Sequence, residues 1–193
     1  LERETKLLTR NTPVLVGRAA QSVVVAAIVG SLFSNLDKED SNSMNGILFF
    51  SSQFGAICAM SMLPVIFEQR DVFYKHSKGL FYDTPSFALA QTIVMSPLIL
   101  LEIVAFSVIV YWSVGMSEDD NGSRFFAFTF VLFVFSMAVT QYYRLLASLV
   151  ASDVVAQPIS GLSLILMLLF SGFIIPKSNI PPGWEWFYWL NPI

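Results

Sequence analysis

Charged residues are scarce in this sequence. Lys, Arg, Asp and Glu make up 13% of its 193 residues, whereas hydrophobic residues make up 55%. In a soluble globular domain about a quarter of all residues are charged, because the domain needs a charged surface around its core. The deficit therefore argues against a soluble domain. A net charge of −3, without any stripe of basic residues, also argues against a nucleic-acid partner.

Residues that perform catalysis or bind metals are also few. The sequence has one histidine, His76, and one cysteine, Cys58. A lone histidine in a polar loop supplies neither a nucleophilic catalytic set nor the companions of a metal site. The G-x-x-x-x-G-K-[S/T] loop that cradles nucleotide phosphates does not occur. We therefore expect no catalytic residue, no metal ion and no cofactor in this chain.

Apolar residues instead form long blocks, each near the ~20 residues that a helix needs to cross a bilayer. Only helices and closed barrels span membranes, and barrel strands would appear as alternating segments of about 10 residues. The sequence thus predicts an all-α polytopic membrane protein. Its five predicted spans are residues 13–33, 46–67, 84–115, 125–146 and 155–175.

Positively charged residues are distributed unequally between the two sides of these spans. Eight of the eleven Lys and Arg residues fall on the side of the N-terminus, and three fall on the other side. Because Lys and Arg accumulate in cytoplasmic loops, the N-terminus is predicted to be cytoplasmic. The loop of residues 116–124 is then outside, and it contains the candidate glycosylation site Asn121 in the sequence Asn-Gly-Ser.

Glu102 is the one carboxylate deep within a predicted span. An ionised group there costs about 2.5–3.5 kcal/mol on insertion scales, so Glu102 should face the bundle or a wet cavity. Two interpretations stay open. Glu102 is either an acid that takes part in coupling or substrate contact, or a hydrogen-bonded packing residue between helices.

The connection between spans two and three, residues 68–83, mixes charged residues with four aromatic residues. This composition is typical of a short helix that lies across the membrane interface and docks on a partner. The alternative is a juxtamembrane anchor with no partner.

Several motifs together resemble the membrane domain of G-subfamily ABC transporters, with the pleiotropic-drug-resistance type as the nearest match. They are EQRDVFYKH at 68–76, GLFY at 79–82, ALAQ at 88–91 with Pro97, GSLF at 30–33, FSGF at 170–173, IPPGWEW at 180–186 and WLNP at 189–192. The resemblance covers essentially the whole chain in order. The sequence departs from the family pattern at Asp71, Lys75, His76 and Asp83, so the contacts of this loop are expected to differ in detail.

The resemblance implies a six-helix permease domain over residues 1–193, truncated before its last helix and without a nucleotide-binding domain. It implies that the 68–83 loop contains a coupling helix that receives the movement of an ATPase domain. The implied transmission residues are Glu68, Arg70, Phe73 and Tyr74. A substrate cavity between two such domains is implied to be lined by Phe50, Phe54, Ile57, Leu162, Ile165 and Leu168.

The function implied by the resemblance is ATP-driven export of lipids or amphipathic xenobiotics by alternating access, at the plasma membrane. The implied partners are an ABC nucleotide-binding domain of the same parent chain, with its ATP and Mg²⁺, a second transmembrane domain, the bilayer and the substrate. Two alternatives stay open. One is a secondary transporter driven by an ion gradient, with Glu102 as proton carrier, and the other is a membrane protein without transport.

Overall fold

The computed structural model describes residues 5–6, 10–34, 41–78, 84–115, 122–177 and 180–191. In these ranges helices dominate and no β-strand occurs, so the predicted all-α class is confirmed. The helices are α1 Thr12–Phe33, α2 Ser41–Met60, α3 Leu63–Lys78, α4 Thr84–Val114, α5 Ser123–Leu149, α6 Asp153–Leu169 and α7 Glu185–Leu190, the last preceded by a 3-10 turn at Pro182–Trp184.

Four helical stretches of the described chain are long and apolar enough to cross a membrane, and they correspond to the first four predicted spans. They are Thr12–Phe33, Asn45–Lys75, Pro85–Val114 and Ser123–Leu149. The fifth predicted span, residues 155–175, is shorter as a helix, because α6 ends at Leu169 after 17 residues. The backbone turns at Gly172, whose φ of 83° lies in the left-handed region, while the sequence stays apolar to Ile175.

The second apolar stretch contains a break between α2 and α3. Pro64 has no N–H to donate to the carbonyl one turn before it, so α2 ends at Met60. α3 begins at Leu63, which puts the proline in a first turn where no N–H donor is needed. Between the two helices the Ser61 hydroxyl donates to the Cys58 carbonyl at 2.7 Å.

α3 continues to Lys78. The helix predicted within residues 68–83 therefore forms as the second part of α3 and not as a separate element. Residues 68–78 of α3 are called the coupling segment below. Residues 79–83 of the predicted loop lie outside the described residues.

α4 stays helical through an internal proline. Pro97 cannot donate to the carbonyl of Ile93, and the Ser96 hydroxyl donates to that carbonyl instead, at 3.0 Å. The local serine therefore satisfies the group that the proline leaves unpaired. The predicted third span, residues 84–115, is confirmed as one helix within a residue at its end.

The chain divides into two compact units. Unit 1 comprises Leu1–Asn35 and Glu68–Phe133, and thus holds α1, the coupling segment, α4 and the start of α5. Unit 2 comprises Leu36–Phe67 and Val134–Ile193, and holds α2, the rest of α5, α6 and α7.

In unit 1, α1 and α4 pack side by side and run parallel. Arg18 meets Glu102, and twelve residues further along α1, Gly30 meets Ser113, which is eleven residues further along α4. A Cβ atom at Gly30 would lie 2.7 Å from the Ser113 Cβ, so the close approach needs a glycine. The parallel direction agrees with the predicted topology, in which spans one and three start on the same side of the membrane. Since Arg18 is level with Glu102, the first residue of α4, Thr84, lies about three helical turns before the level of Thr12, where α1 begins.

In unit 2, the chain after α6 folds back on the end of that helix. The Asn191 side-chain amide donates to the Met167 carbonyl at 2.7 Å, which satisfies one of the last carbonyls of α6. Phe170 stacks on Trp184 at 5.6 Å and contacts Phe187 at 5.2 Å between ring centroids. The Trp-rich end of the chain is therefore a short folded cap and does not extend α6.

Candidate functional site

The coupling segment has one face turned into unit 1 and another on the surface. Phe73 is buried and Arg70 is half-buried, whereas Glu68 and Tyr74 are exposed. The Arg70 guanidinium carbon lies 5.7 Å from the centre of the Tyr74 ring, within the range of a cation–π contact. The segment thus exposes the Glu68 carboxylate and pairs the Arg70 guanidinium with the Tyr74 phenol, while Phe73 serves as an anchor.

Two side-chain contacts hold the coupling segment against the first turns of α4. The Phe73 ring stacks on Phe87, with ring centroids 4.5 Å apart and planes 21° apart. The Gln91 Nε2 donates to the Gln69 Oε1 at 2.6 Å. Sequence reasoning used Gln91 only as part of a motif and did not identify Phe87. A signal was available in the sequence, because Gln69 and Phe73 are four residues apart and so are Phe87 and Gln91. This spacing places the two side chains on one face of their helix.

The three predicted cavity residues of α2 do not share the same environment. Phe50 and Ile57 are 46% and 44% exposed on the surface of this chain, whereas Phe54 is 3% exposed. Seven residues are close to two full turns, so Phe50 and Ile57 lie on one face of the helix. That face is available to line a cavity with another domain. Phe54 is covered by the chain itself, and its role stays a prediction.

The predicted cavity residues of α6 form a slanted stripe. Leu162 and Ile165 are 59% and 54% exposed, and Leu168 is half-buried. Six residues along a helix correspond to a rotation of about 120° away from the first, so Leu168 cannot share the outward face of Leu162. Two of the three residues therefore lie on the chain surface.

Gln53 was not among the cavity residues that the resemblance implied. It is buried in α2, and its Oε1 has no hydrogen-bond partner among the described residues. On the helical wheel it flanks Phe50 and Ile57, because it is three residues from one and four from the other. A buried amide oxygen without a partner is costly inside a membrane, so the position of Gln53 beside Phe50 and Ile57 marks it as a candidate binding group. The available signal was an amide within an apolar span.

A pocket of about 450 Å³ lies within unit 2, between α2 and the loop after α6. It is lined by Asn45, Leu48, Phe49, Ser52, Ser171, Gly172 and Phe173. The Phe49 and Phe173 rings stack at 4.7 Å, which joins the middle of α2 to the loop after α6. The six predicted cavity residues do not line this pocket.

Glu102 forms a buried ion pair with Arg18 in unit 1. Arg18 Nε donates to Oε1 and its terminal nitrogen donates to Oε2, both at 2.6 Å, and the two side chains are 7% and 5% exposed. This forked geometry is the strong form of an Arg–carboxylate contact. It favours the interpretation of Glu102 as a packing residue between helices. The sequence did not indicate the pairing, because Arg18 is 84 residues away and was counted among the residues of the cytoplasmic side.

The predicted glycosylation site, Asn121, lies outside the described residues. Its modification stays a prediction.

Comparison with known proteins gives a match over the whole chain. Residues 1–193 match the family model described as ABC-2 type transporter. Similar proteins include ABC transporter G family member 2 of Dictyostelium discoideum, 35% identical over 193 residues, 99% of this chain and 14% of that protein. ABC transporter G family member 36 of Arabidopsis thaliana is 30% identical over 197 residues, 100% of this chain and 13% of that protein.

ABC multidrug transporter H of Aspergillus fumigatus is 30% identical over 174 residues, 89% of this chain and 12% of that protein. The chain thus spans about one-seventh of the length of the relatives that it matches. These matches confirm the resemblance that the motifs indicated.

Proposed function

This chain belongs to the ABC-2 type transporter family, and we propose that it is the permease domain of an ATP-driven exporter of lipids or amphipathic molecules. It is an integral membrane protein, and we place the exporter in the plasma membrane. The observation that carries the proposal is the form of the coupling segment. This segment exposes Glu68 and Tyr74 while Phe73 holds it against α4.

The coupling segment would receive the movement of a nucleotide-binding domain of the same parent chain. ATP and Mg²⁺ would bind on that domain, because this sequence has no G-x-x-x-x-G-K-[S/T] loop. In the proposed contact the Glu68 carboxylate and the Arg70 guanidinium form charge-assisted hydrogen bonds with the partner. Such bonds are directional, so the coupling segment would move together with the partner domain.

The substrate would bind between this chain and a second transmembrane domain. The exposed residues Phe50, Ile57, Leu162 and Ile165 support this role, because they offer apolar surface that the chain itself leaves uncovered. Apolar walls with a few polar groups suit amphipathic molecules. Export then requires only that the inward- and outward-facing states differ in their affinity for the substrate.

The strongest rival is a secondary transporter in which Glu102 carries a proton. The forked ion pair argues against it, since the Arg18 guanidinium already neutralises the Glu102 carboxylate. A proton carrier would have to break this buried pair in every cycle, and a buried charge without its partner is strongly unfavourable. The match of residues 1–193 to a transporter family argues against a membrane protein without transport.

The proposal is tested with the full-length protein in inside-out membrane vesicles. Replacing Glu68 and Arg70 together by alanine is expected to abolish transport-linked ATP turnover, while the protein stays in the membrane. A matched control removes one negative and one positive charge elsewhere, by Glu185→Ala with Arg124→Ala, which lie at the predicted outer side. Coupled turnover that stays normal in the Glu68/Arg70 variant would refute the coupling role.

A further inference from the structure

We propose that Phe87 and Gln91 of α4 are positioning residues through which the coupling segment and α4 move as one body. This inference rests on the proposed function, because it needs an ATPase domain that moves the segment. It assigns a role to two residues outside the predicted transmission interface.

The two contacts form a ladder of two rungs. One rung is the hydrogen bond between Gln69 and Gln91, and the other is the ring contact between Phe73 and Phe87. Gln69 and Phe73 are four residues apart on α3, and Phe87 and Gln91 are four residues apart on α4. The order is reversed between the two helices, so the helices run antiparallel at this point. Residues at this spacing are one turn apart, and the ladder therefore joins two consecutive turns of each helix.

The two rungs resist different displacements. The amide hydrogen bond of 2.6 Å depends on the axial register, because one residue of sliding shifts the helix by about 1.5 Å and lengthens the bond. The stacked rings of Phe73 and Phe87 fill the space between the helices and resist a change in their separation. Together the rungs oppose both sliding and separation.

The ladder also lies on the same helix as the ion pair. Gln91 is eleven residues before Glu102, which corresponds to about 16 Å along α4. Since Glu102 is paired with Arg18, a displacement of the coupling segment would pass through α4 to α1. The exposed side of the segment, with Glu68 and Tyr74, stays available to the partner.

A cross-link between the rungs tests movement as one body. Cysteines are introduced at Gln69 and Gln91 in the full-length transporter, from which other reactive cysteines have been removed, and are joined by a short bifunctional thiol reagent. We expect substrate-stimulated ATP turnover to be retained after cross-linking, because the two residues do not separate during the cycle. Loss of turnover that returns on cleavage of the linker would overturn the proposal. Thr92→Cys with Gln69→Cys is the control for reagent effects, since the Thr92 hydroxyl donates to the Ala88 carbonyl of its own helix and Thr92 is not one of the four ladder residues.

Loss of one rung tests the role of Gln91. Gln91→Leu is expected to lower substrate-stimulated ATP turnover about three- to tenfold, the range that one hydrogen bond accounts for. Basal turnover should stay unchanged, because the nucleotide site is on another domain. The neighbouring Thr92→Val should leave both rates unchanged. Gln69→Glu with Gln91→Lys should restore the stimulated rate, since this pair can form a charged hydrogen bond.

A purely structural role for Gln91 would lower basal and stimulated turnover together with the amount of protein in the membrane, and that result would overturn the proposal. An unchanged stimulated rate in Gln91→Leu would overturn it as well. Failure of the proposed function itself would differ, since the unsubstituted protein would then show no ATP-dependent uptake.

Discussion

Arg18 and Glu102 join α1 to α4 by two hydrogen bonds of 2.6 Å, with the charges of both groups buried. The pair is at one end of a parallel contact whose other end is the close approach of Gly30 to Ser113. Each of the two charges is stable in the buried position only when the other lies beside it. The pair therefore selects one register and one rotation of α1 against α4. This is the specificity that buried ion pairs are able to provide.

Arg18→Leu is expected to destabilise the protein by about 3–5 kcal/mol, because it leaves the Glu102 carboxylate buried without its partner. The thermal midpoint in detergent and the amount of protein in the membrane report the change. In the double variant Arg18→Leu with Glu102→Leu, most of this loss should be recovered, since two apolar residues replace two charges. A double variant that is as unstable as the sum of both single variants would contradict a direct pairing.

Glu102→Gln should slow transport by no more than about tenfold, the scale of one altered hydrogen bond. The amide can still accept from Arg18, although the compensating negative charge is lost. Transport is measured in vesicles with ATP, with and without an imposed pH gradient. Complete loss of ATP-driven transport, together with uptake that follows the pH gradient, would favour the secondary-transporter reading.

Gly55→Ala is expected to destabilise unit 2 by about 1–3 kcal/mol through overpacking. The new Cβ would lie 2.5 Å from the Ser136 hydroxyl oxygen, which has no hydrogen-bond partner among the described residues. Adding Ser136→Ala removes this oxygen and should restore most of the thermal stability. Gly161→Ala is the matched control, because nothing lies within 4 Å of its added Cβ. Equal losses at Gly55 and Gly161 would contradict the steric explanation.

Leu162→Trp is expected to reduce transport severalfold if this exposed stripe of α6 lines the cavity, since the larger ring occupies space that a substrate needs. Folding should be preserved, because the side chain lies on the surface of the chain. Val154→Trp is the control on the same helix, as Val154 is even more exposed and lies about 80° away on the wheel. Transport is measured by vesicle uptake at matched protein levels. Equal effects of the two substitutions would argue against a cavity at Leu162.

The local features of the fold could be predicted from the sequence with good agreement. The third span depends on hydropathy, which is a property of neighbouring residues. The early end of α6 could not be predicted in this way. Apolar residues continue beyond Leu169, so the hydropathy pattern did not mark the turn at Gly172.

For the candidate site, too, local features could be predicted from the sequence and tertiary contacts could not. The coupling segment was recognised from its motif, but its attachment to α4 through Gln69 and Gln91 depends on which helix faces which. Similarly, the resemblance implied that Phe54 lines the cavity, yet Phe54 is buried because another part of the chain covers it. Spacing determines which residues share a face, and only packing determines what that face meets.

The sequence by itself determined that this is a polytopic helical membrane domain, because long apolar blocks can satisfy their backbone groups in a bilayer only as helices. It also determined the family, through motifs that occur in order along the chain. The tertiary structure decided the partner of Glu102. Arg18 is 84 residues away, and no local rule brings the two together. Their pairing follows from the parallel packing of α1 and α4, in which a buried carboxylate and a buried guanidinium are stable only beside each other.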